Sequence, residues 1–507
     1  MSLPAILRTK PQATIDTMQV HTSILEPIIN NQNICRFTLE KKGILDINSC
    51  VQISRVYERA GGVAFGGDVF CPVKPGAHSW IESATLRVGA TAVATTDKYG
   101  HYATIKRLFK SAEERIRKDS IRVGSTTDGY EPSNLANGQV QPMNLLWGRG
   151  EDGQPRTNGI IHEELRLTDA TDGEKEAVVF AIKLSELFPM MRNVQLPLYL
   201  MAEPVSIEIR WSADTKTHSF VTSDDAAHQP THAPVATTQI QFLADYLTYD
   251  DTKMGDLAQT AASEQGLTMP YNDIILTTAT VPSAGAAVAQ GTTAISQRVN
   301  REIGLAGRVV QNIIWADVPN DPAHWSLLPG TDASVWTQLN GVYVGRDMCA
   351  GSEFNLRIND REFFNRPVSN VSQKAYYLSQ TEGVDLQVPT VEYSMDQCTN
   401  DAGEWTAALR AFAAGAVGTA TPLGVQSMEG LAIIDNRITG LQHYEGVSLT
   451  SNPLTGTGTA IGQKPIMLNR TLRRGFCDAP QQTLETYIWA QVERLFVLQG
   501  GVVSLTE

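Results

Sequence analysis

Val205-Ser-Ile-Glu-Ile-Arg-Trp211 alternates without a break: Val205, Ile207, Ile209 and Trp211 fall on one side of an extended chain, and Ser206, Glu208 and Arg210 on the other. Side chains of a β-strand point alternately to opposite faces, so a run with this period buries one face and leaves the other to polar partners. The same reading extends outward in both directions. Residues 50–57 bring Val51 and Ile53 together, and residues 82–88 bring Ala84, Leu86 and Val88 together. Strand-like runs follow at 177–184, 240–249, 274–280, 307–318, 354–358, 384–393, 431–438 and 487–498, separated by turns such as Asp128-Gly129, Asp152-Gly153 and Asn359-Asp360.

Helical patterns are fewer. From Tyr102 to Lys118 the apolar residues Tyr102, Ile105, Phe109, Ala112 and Ile116 repeat at helical spacing, with Lys106, Arg107, Lys110, Glu113, Arg117 and Lys118 on the other sides. A second helix is expected over residues 404–414 and a third over 251–263. Long Gly-rich loops are expected at 281–293, 415–428 and 451–462. The first ~35 residues, with Pro4, Pro11 and Pro27 and no sustained period, are expected to form an extended arm. The class is mainly β, organised as two sandwiches.

Composition sets limits on function. The chain has 507 residues and a formal net charge of −13, from 41 Lys+Arg and 54 Asp+Glu. Only 19% of residues are charged and 42% are hydrophobic, which excludes a disordered polyelectrolyte. The acidity disfavours coating of DNA by global charge, since phosphate binding needs clustered Lys and Arg. The cysteines Cys35, Cys50, Cys71, Cys349, Cys398 and Cys477 form no C-x-x-C pair or dense framework. There is no secretory leader pattern and no apolar run of the ~18–20 residues that a membrane span needs.

A search for reactive constellations finds none, and we assign no catalytic, cofactor-binding or metal-ligating residue. Walker A, G-x-S-x-G, H-E-x-x-H and EF-hand patterns are absent. Gly456-Thr-Gly458-Thr-Ala-Ile-Gly462 has the wrong spacing for a phosphate loop and reads as a flexible surface loop. His228 and His232 are spaced i, i+4, but Pro230 and Pro234 argue against a helix there. The acid pairs Glu113-Glu114, Glu163-Glu164, Asp224-Asp225 and Asp250-Asp251 read as solvated surface, because adjacent residues do not share a face. Arg470-Thr-Leu-Arg473-Arg474 is the sharpest basic cluster and is expected at a subunit contact or a solvated turn. Trp80, Trp211, Trp315 and Trp489 are expected in cores.

Several segments, in order, resemble the major capsid proteins of the double jelly-roll lineage of DNA viruses, and most closely those of virophages and polinton-like viruses. They are Trp80-Ile-Glu-Ser-Ala-Thr-Leu-Arg-Val-Gly89 with Asp97-Lys-Tyr-Gly-His-Tyr-Ala-Thr-Ile-Lys-Arg-Leu-Phe109, the passage from Leu187 to Trp211, and Leu243-Ala-Asp-Tyr-Leu-Thr-Tyr-Asp-Asp251. In the second half they are Phe354-Asn-Leu-Arg-Ile-Asn-Asp-Arg-Glu-Phe-Phe364 and the closing stretch from Ile488 to Gly501. No repeat between the two halves is visible in the residues themselves.

The resemblance implies two tandem eight-stranded antiparallel jelly-roll sandwiches with a few helices in long loops. It implies an arm at 1–36, a first jelly roll at 37–250, a connection at 251–266 and a second jelly roll at 267–507. The implied function is structural, without enzymatic turnover: a homotrimer forms a pseudo-hexameric capsomer that tiles an icosahedral shell around a DNA genome. Implied partners are neighbouring capsomers and penton and minor (cement) capsid proteins, with no cofactor and no sequence-specific nucleic-acid binding. The implied location is the virion capsid, after folding and assembly inside the host cell. On this reading the basic side of the 102–118 helix meets an adjacent subunit. Tandem β-sandwiches also suit a carbohydrate-binding module or a glycoside hydrolase, the latter needing two carboxylates in one cleft.

Overall fold

The computed structural model describes residues 18–56, 69–70, 75–111, 114, 119–123, 130–134, 139–142, 179–213, 220–221, 235–236, 239–285, 295–320, 352–382, 444–450, 457–474 and 483–506. The strands expected at 384–393 and 431–438, the helix at 404–414 and the loop at 415–428 lie outside these residues.

Eight principal strands make up the first half: β1 (Gln19–Leu25), β2 (Ile34–Thr38), β3 (Cys50–Val56), β4 (Ile81–Val88), β5 (Thr91–Asp97), β6 (Val179–Lys183), β7 (Val205–Trp211) and β8 (Gln241–Thr248). They pair antiparallel, as in a long ribbon folded on itself: β1 with β8, β2 with β7, β3 with β6, and β4 with β5. Further pairing of β8 with β3 and of β7 with β4 wraps the ribbon into two sheets, ordered β1-β8-β3-β6 and β2-β7-β4-β5. This is jelly-roll topology.

The second half repeats it. Its strands are β9 (Leu267–Val281), β10 (Ile295–Ile303), β11 (Val309–Pro319), β12 (Glu353–Ile358), β13 (Arg361–Glu362), β14 (Glu445–Ser448), β15 (Ile466–Arg474) and β16 (Leu484–Gln499). The pairs β9–β16, β10–β15, β11–β14 and β12–β13 form the ribbon, and the sheets are ordered β9-β16-β11-β14 and β10-β15-β12-β13. Every strand thus has a counterpart eight places earlier, although the sequence shows no repeat. A last strand, β17 (Val502–Thr506), returns along β16. Gly500 and Gly501, at φ +56° and +86°, supply the left-handed conformation that its two-residue hairpin turn requires.

Each sandwich encloses its own core. Phe37, Val51, Leu86, Ile182, Ile207 and Phe242 are fully buried in the first, drawn from both sheets. Ile313, Trp315, Phe354, Leu468, Ile488 and Ala490 serve the second, where the Trp315 and Phe354 rings meet edge to face at 4.9 Å. The β7 run behaves as its alternation predicts: Val205, Ile207, Ile209 and Trp211 are buried and Arg210 is exposed. Three helices of eight or more residues are described: α1 (Tyr99–Arg107), α2 (Asp251–Ala262) and α3 (Val371–Glu382). Helix α2 joins β8 to β9 and matches the expected 251–263 helix. The Asp250 carboxylate caps it by accepting the Lys253 N–H at 3.1 Å.

Two sequence expectations are corrected. The arm predicted over 1–36 does not include residues 19–36: β1 pairs along its whole length with β8, Ile29–Asn30 pairs with β2, and β2 begins at Ile34. The helix predicted over 102–118 starts at Tyr99 and ends at Arg107, with a further short turn at Ser120–Val123. The break has a local cause. The Ser111 hydroxyl accepts the Glu114 N–H at 3.2 Å, and the Ser111 N–H donates to the Glu114 carboxylate at 3.3 Å. That reciprocal pair is a capping box, in which Ser111 holds an N-cap position and not one inside a continuing helix.

The interdomain seam and candidate assembly surface

Helix α1 belongs to the first jelly roll but packs on the second. Tyr102, Ile105 and Leu108 cluster with Ile274 of β9, Ile314 and Ala316 of β11, and Tyr487 and Trp489 of β16. The β16 residues Ile488, Ala490 and Val492 point into the sandwich core, so the alternate residues Tyr487 and Trp489 lie on the outer face of that sheet. The seam therefore consists of a helix of one jelly roll covering the outer sheet face of the other. Leu378 of α3 joins the same cluster beside Ile314.

Polar contacts lock the seam. Lys106 of α1 pairs with Glu382 of α3. The His101 and Tyr487 rings meet edge to face at 5.1 Å, and Lys98 Nζ lies 5.7 Å from the Tyr487 ring centre. At the strand edge, the Tyr271 hydroxyl of β9 donates to the Val93 carbonyl of β5 at 2.9 Å. The neighbouring Asp273 carboxylate accepts from the Thr95 backbone N–H and pairs with Arg494 at 2.6 Å. Burial nevertheless pushes the Asp273 pKa up to about 6, the Arg494 charge opposing it.

Of the basic residues of the 102–118 segment, Lys106 and Lys110 are paired within the chain, while Arg117 and Lys118 lie outside the described residues. Beyond Lys106, Lys110 pairs with Asp119 at 2.8 Å and with Glu186 at 3.1 Å, and Arg122 bonds both acids as well. Lys106 and Lys110 are thus engaged by an internal network. Burial opposes ionisation of Glu186, but its Arg122 hydrogen bonds, with Lys110 and His78 nearby, hold its carboxyl well below the usual carboxylate range. His78 lies buried beside this network, with Nδ1 3.0 Å from the Tyr99 hydroxyl, and burial pushes its pKa down to about 4.

The other sequence candidates disperse. The Arg470–Arg474 cluster is not a solvated turn: it lies within β15. Arg470 is buried and bidentate to Asp317 of β11 at 2.6 and 3.0 Å, and Arg474 is fully buried and bonds Gln297 at 3.2 Å. The stretch 456–462, expected to be a flexible surface loop, is held from Thr457 onward. The Gly458 N–H donates to Glu493 at 2.6 Å, Thr459 and Ala460 pair with β11, and a Cβ on Gly458 would stand 2.5 Å from the Val310 carbonyl oxygen. Trp80, Trp211, Trp315 and Trp489 are all buried. Asp250 is a helix cap, whereas Glu113, the Glu163 and Asp224 pairs, His228 and His232 lie outside the described residues. Among the described residues no three His, Cys, Asp or Glu side chains are grouped to hold a metal ion.

A groove of about 1230 Å³ runs between α3 and the β9–β16 strands, with Phe363, Tyr376 and Tyr377 among its lining. Two of its carboxylates are already engaged: Glu382 by Lys106, and Glu493 by the Gln311 amide at 3.1 Å and the Gly458 N–H. Large apolar side chains are exposed at several places, among them Val179 on β6, Leu495 and Val502 on β16 and β17, and two patches. Val20 (52%), Ile24 (62%) and Ile28 (69%) lie along and just after β1; Phe363 (42%) and Tyr376 (59%) lie after β13 and on α3. Neither patch is legible in the sequence, because β1 carries no hydrophobic alternation and residues 371–382 show no clear helical stripe.

No family model matches the chain, and no curated protein matches it in sequence. Solved structures do match in fold. A chain of the Sputnik virophage structure aligns with TM-score 0.56 at 10% identity, over 96% of this chain and 88% of that one. The mavirus major capsid protein aligns with TM-score 0.53 at 9% identity, over 100% and 95% of the two chains. The Faustovirus major capsid protein aligns with TM-score 0.52 at 8% identity, over 98% and 94%. The chain has a double jelly-roll fold, the architecture of these capsid proteins.

Proposed function

We propose that the chain is the major capsid protein of a DNA virus of the virophage kind, located in the virion shell. The observation that carries this reading is the complete eight-strand jelly-roll topology, present twice and fused through the α1 seam, with fold likeness over nearly the whole of each capsid chain. Two similar domains per chain let three copies supply six similar lobes, and a six-lobed unit tiles a flat lattice. In this account three copies form the capsomer, capsomers meet one another and penton and minor capsid proteins, and the shell encloses the genome.

The work is mechanical, so the chain needs contact surfaces instead of reacting groups. Glu382 and Glu493 are engaged within the chain, so the described groove does not offer them as the two carboxylates that a glycoside hydrolase requires. Electron microscopy of the purified, concentrated chain tests the reading. Hexagonal capsomers or lattices are expected, and a field of separate single-chain particles would contradict it.

A further inference from the structure

The floor of the groove beside α3 is the three-stranded ribbon β9–β16–β17. Directly opposite residues of an antiparallel pair share a face, and the registers set Pro270 against Leu495 and Leu495 against Thr506. These three therefore lie side by side across the floor, and Thr268 and Asn272 flank Pro270 on the same face. Leu495 is exposed, so the floor is apolar at its centre and polar at its margins.

One wall is aromatic. Phe363, Phe364, Tyr377 and Tyr376 touch in succession, with ring centroids 4.8, 4.7 and 5.5 Å apart. Phe364 and Tyr377 are half-buried and tie the segment after β13 to α3, whereas Phe363 and Tyr376 are exposed in the lining. Each exposed ring rests against a ring behind it, so little ordering is needed on binding. Gln380 of α3 and Asn193 of the first jelly roll, both exposed, place amides at the rim.

Charge narrows the choice of ligand. The charged side chains of the lining are engaged within the chain: Glu382 by Lys106, Arg494 by Asp273, and Glu493 by the Gln311 amide and the Gly458 N–H. An anionic ligand would meet Glu493 and gain no uncommitted cation in return. Rings and a flat apolar strip bordered by amides and hydroxyls complement a pyranose, whose C–H face packs on apolar surface while its hydroxyls bond amides and threonines. The volume, about 1230 Å³, exceeds the roughly 300–1,000 Å³ of pockets for single small ligands and admits several sugar units.

We infer that this groove binds a neutral oligosaccharide without cleaving it. The site goes beyond the capsid reading and does not rest on it. In a shell it would recur in every copy, and weak single-site binding would be multiplied by avidity.

Calorimetric titration of the full chain tests the site, with cellohexaose and chitohexaose as neutral probes and a heparin-derived hexasaccharide as the anionic one. Saturable binding with a Kd of about 1 mM or tighter is expected for at least one neutral probe, and none for the heparin hexasaccharide. Tyr376→Ala should weaken binding about tenfold through the lost ring contact. Gln380→Ala, which removes a rim amide, should weaken it about fivefold. Both positions are exposed, so each variant should melt with the parent. Absence of binding to both neutral probes, binding of the heparin hexasaccharide in their place, or unchanged affinity in both variants would overturn the inference. Each of these outcomes leaves the capsid reading standing, since that reading is tested by particle mass and lattice formation.

Discussion

Arg470 shows how a residue type can mislead until its face is known. In sequence it belongs to a basic cluster; in the fold it sits between the two sheets of the second jelly roll, with Asp317 and Thr486 as partners. Breaking a buried pair strands one charge, so Asp317→Ala should lower unfolding free energy by about 3–5 kcal/mol, read by denaturant titration. A loss below about 1 kcal/mol would contradict the buried assignment. His78 gives a pH dependence. Its folded pKa of about 4 lies below the ordinary ~6.5, so the unfolded chain takes up the proton first as pH falls. Its contribution is fully present above about pH 6.5 and is lost toward pH 4, a difference of about 3 kcal/mol. Asp273 works in the opposite sense: its raised pKa makes stability fall as pH rises from about 4 to 6. Comparing the parent with His78→Gln isolates the histidine, and equal pH slopes would count against it.

At the scale of elements, strands with one buried face were legible, whereas β1, exposed along its first half, was not. The β7 and β16 runs carry their alternation because burial demands it, and both appear as expected. Strand β1 is exposed on both faces over residues 19–22, so its pattern carries no hydrophobic signal and resembles an arm. The end of α1 was legible in principle, since Ser111-Ala-Glu-Glu114 is a capping-box signature inside an apolar stripe that suggests a longer helix. What sequence alone withheld was the destination of that stripe, the outer face of the other jelly roll. Ile105→Ala, which empties the seam and leaves both cores intact, should cost about 2–5 kcal/mol. The two halves should then melt in separate calorimetric transitions. A single transition at the parent temperature would show that α1 does not couple them.

For the whole molecule, the repeat appears only in topology, because a jelly roll constrains pairing order and burial while leaving residue identity free. The seam joins the two copies of that topology, with α1 of one jelly roll covering the outer sheet face of the other. Three copies at −13 each carry −39, so repulsion opposes association and is screened by salt. Raising ionic strength from about 0.05 to 0.5 M should favour capsomer association in sedimentation, and no response would contradict a charge-limited assembly. The central claim is tested most directly by size exclusion coupled to light scattering on the full chain. The account predicts a particle of three times the 55.3 kDa chain mass, and a peak that stays at one chain mass across concentration and salt would contradict it.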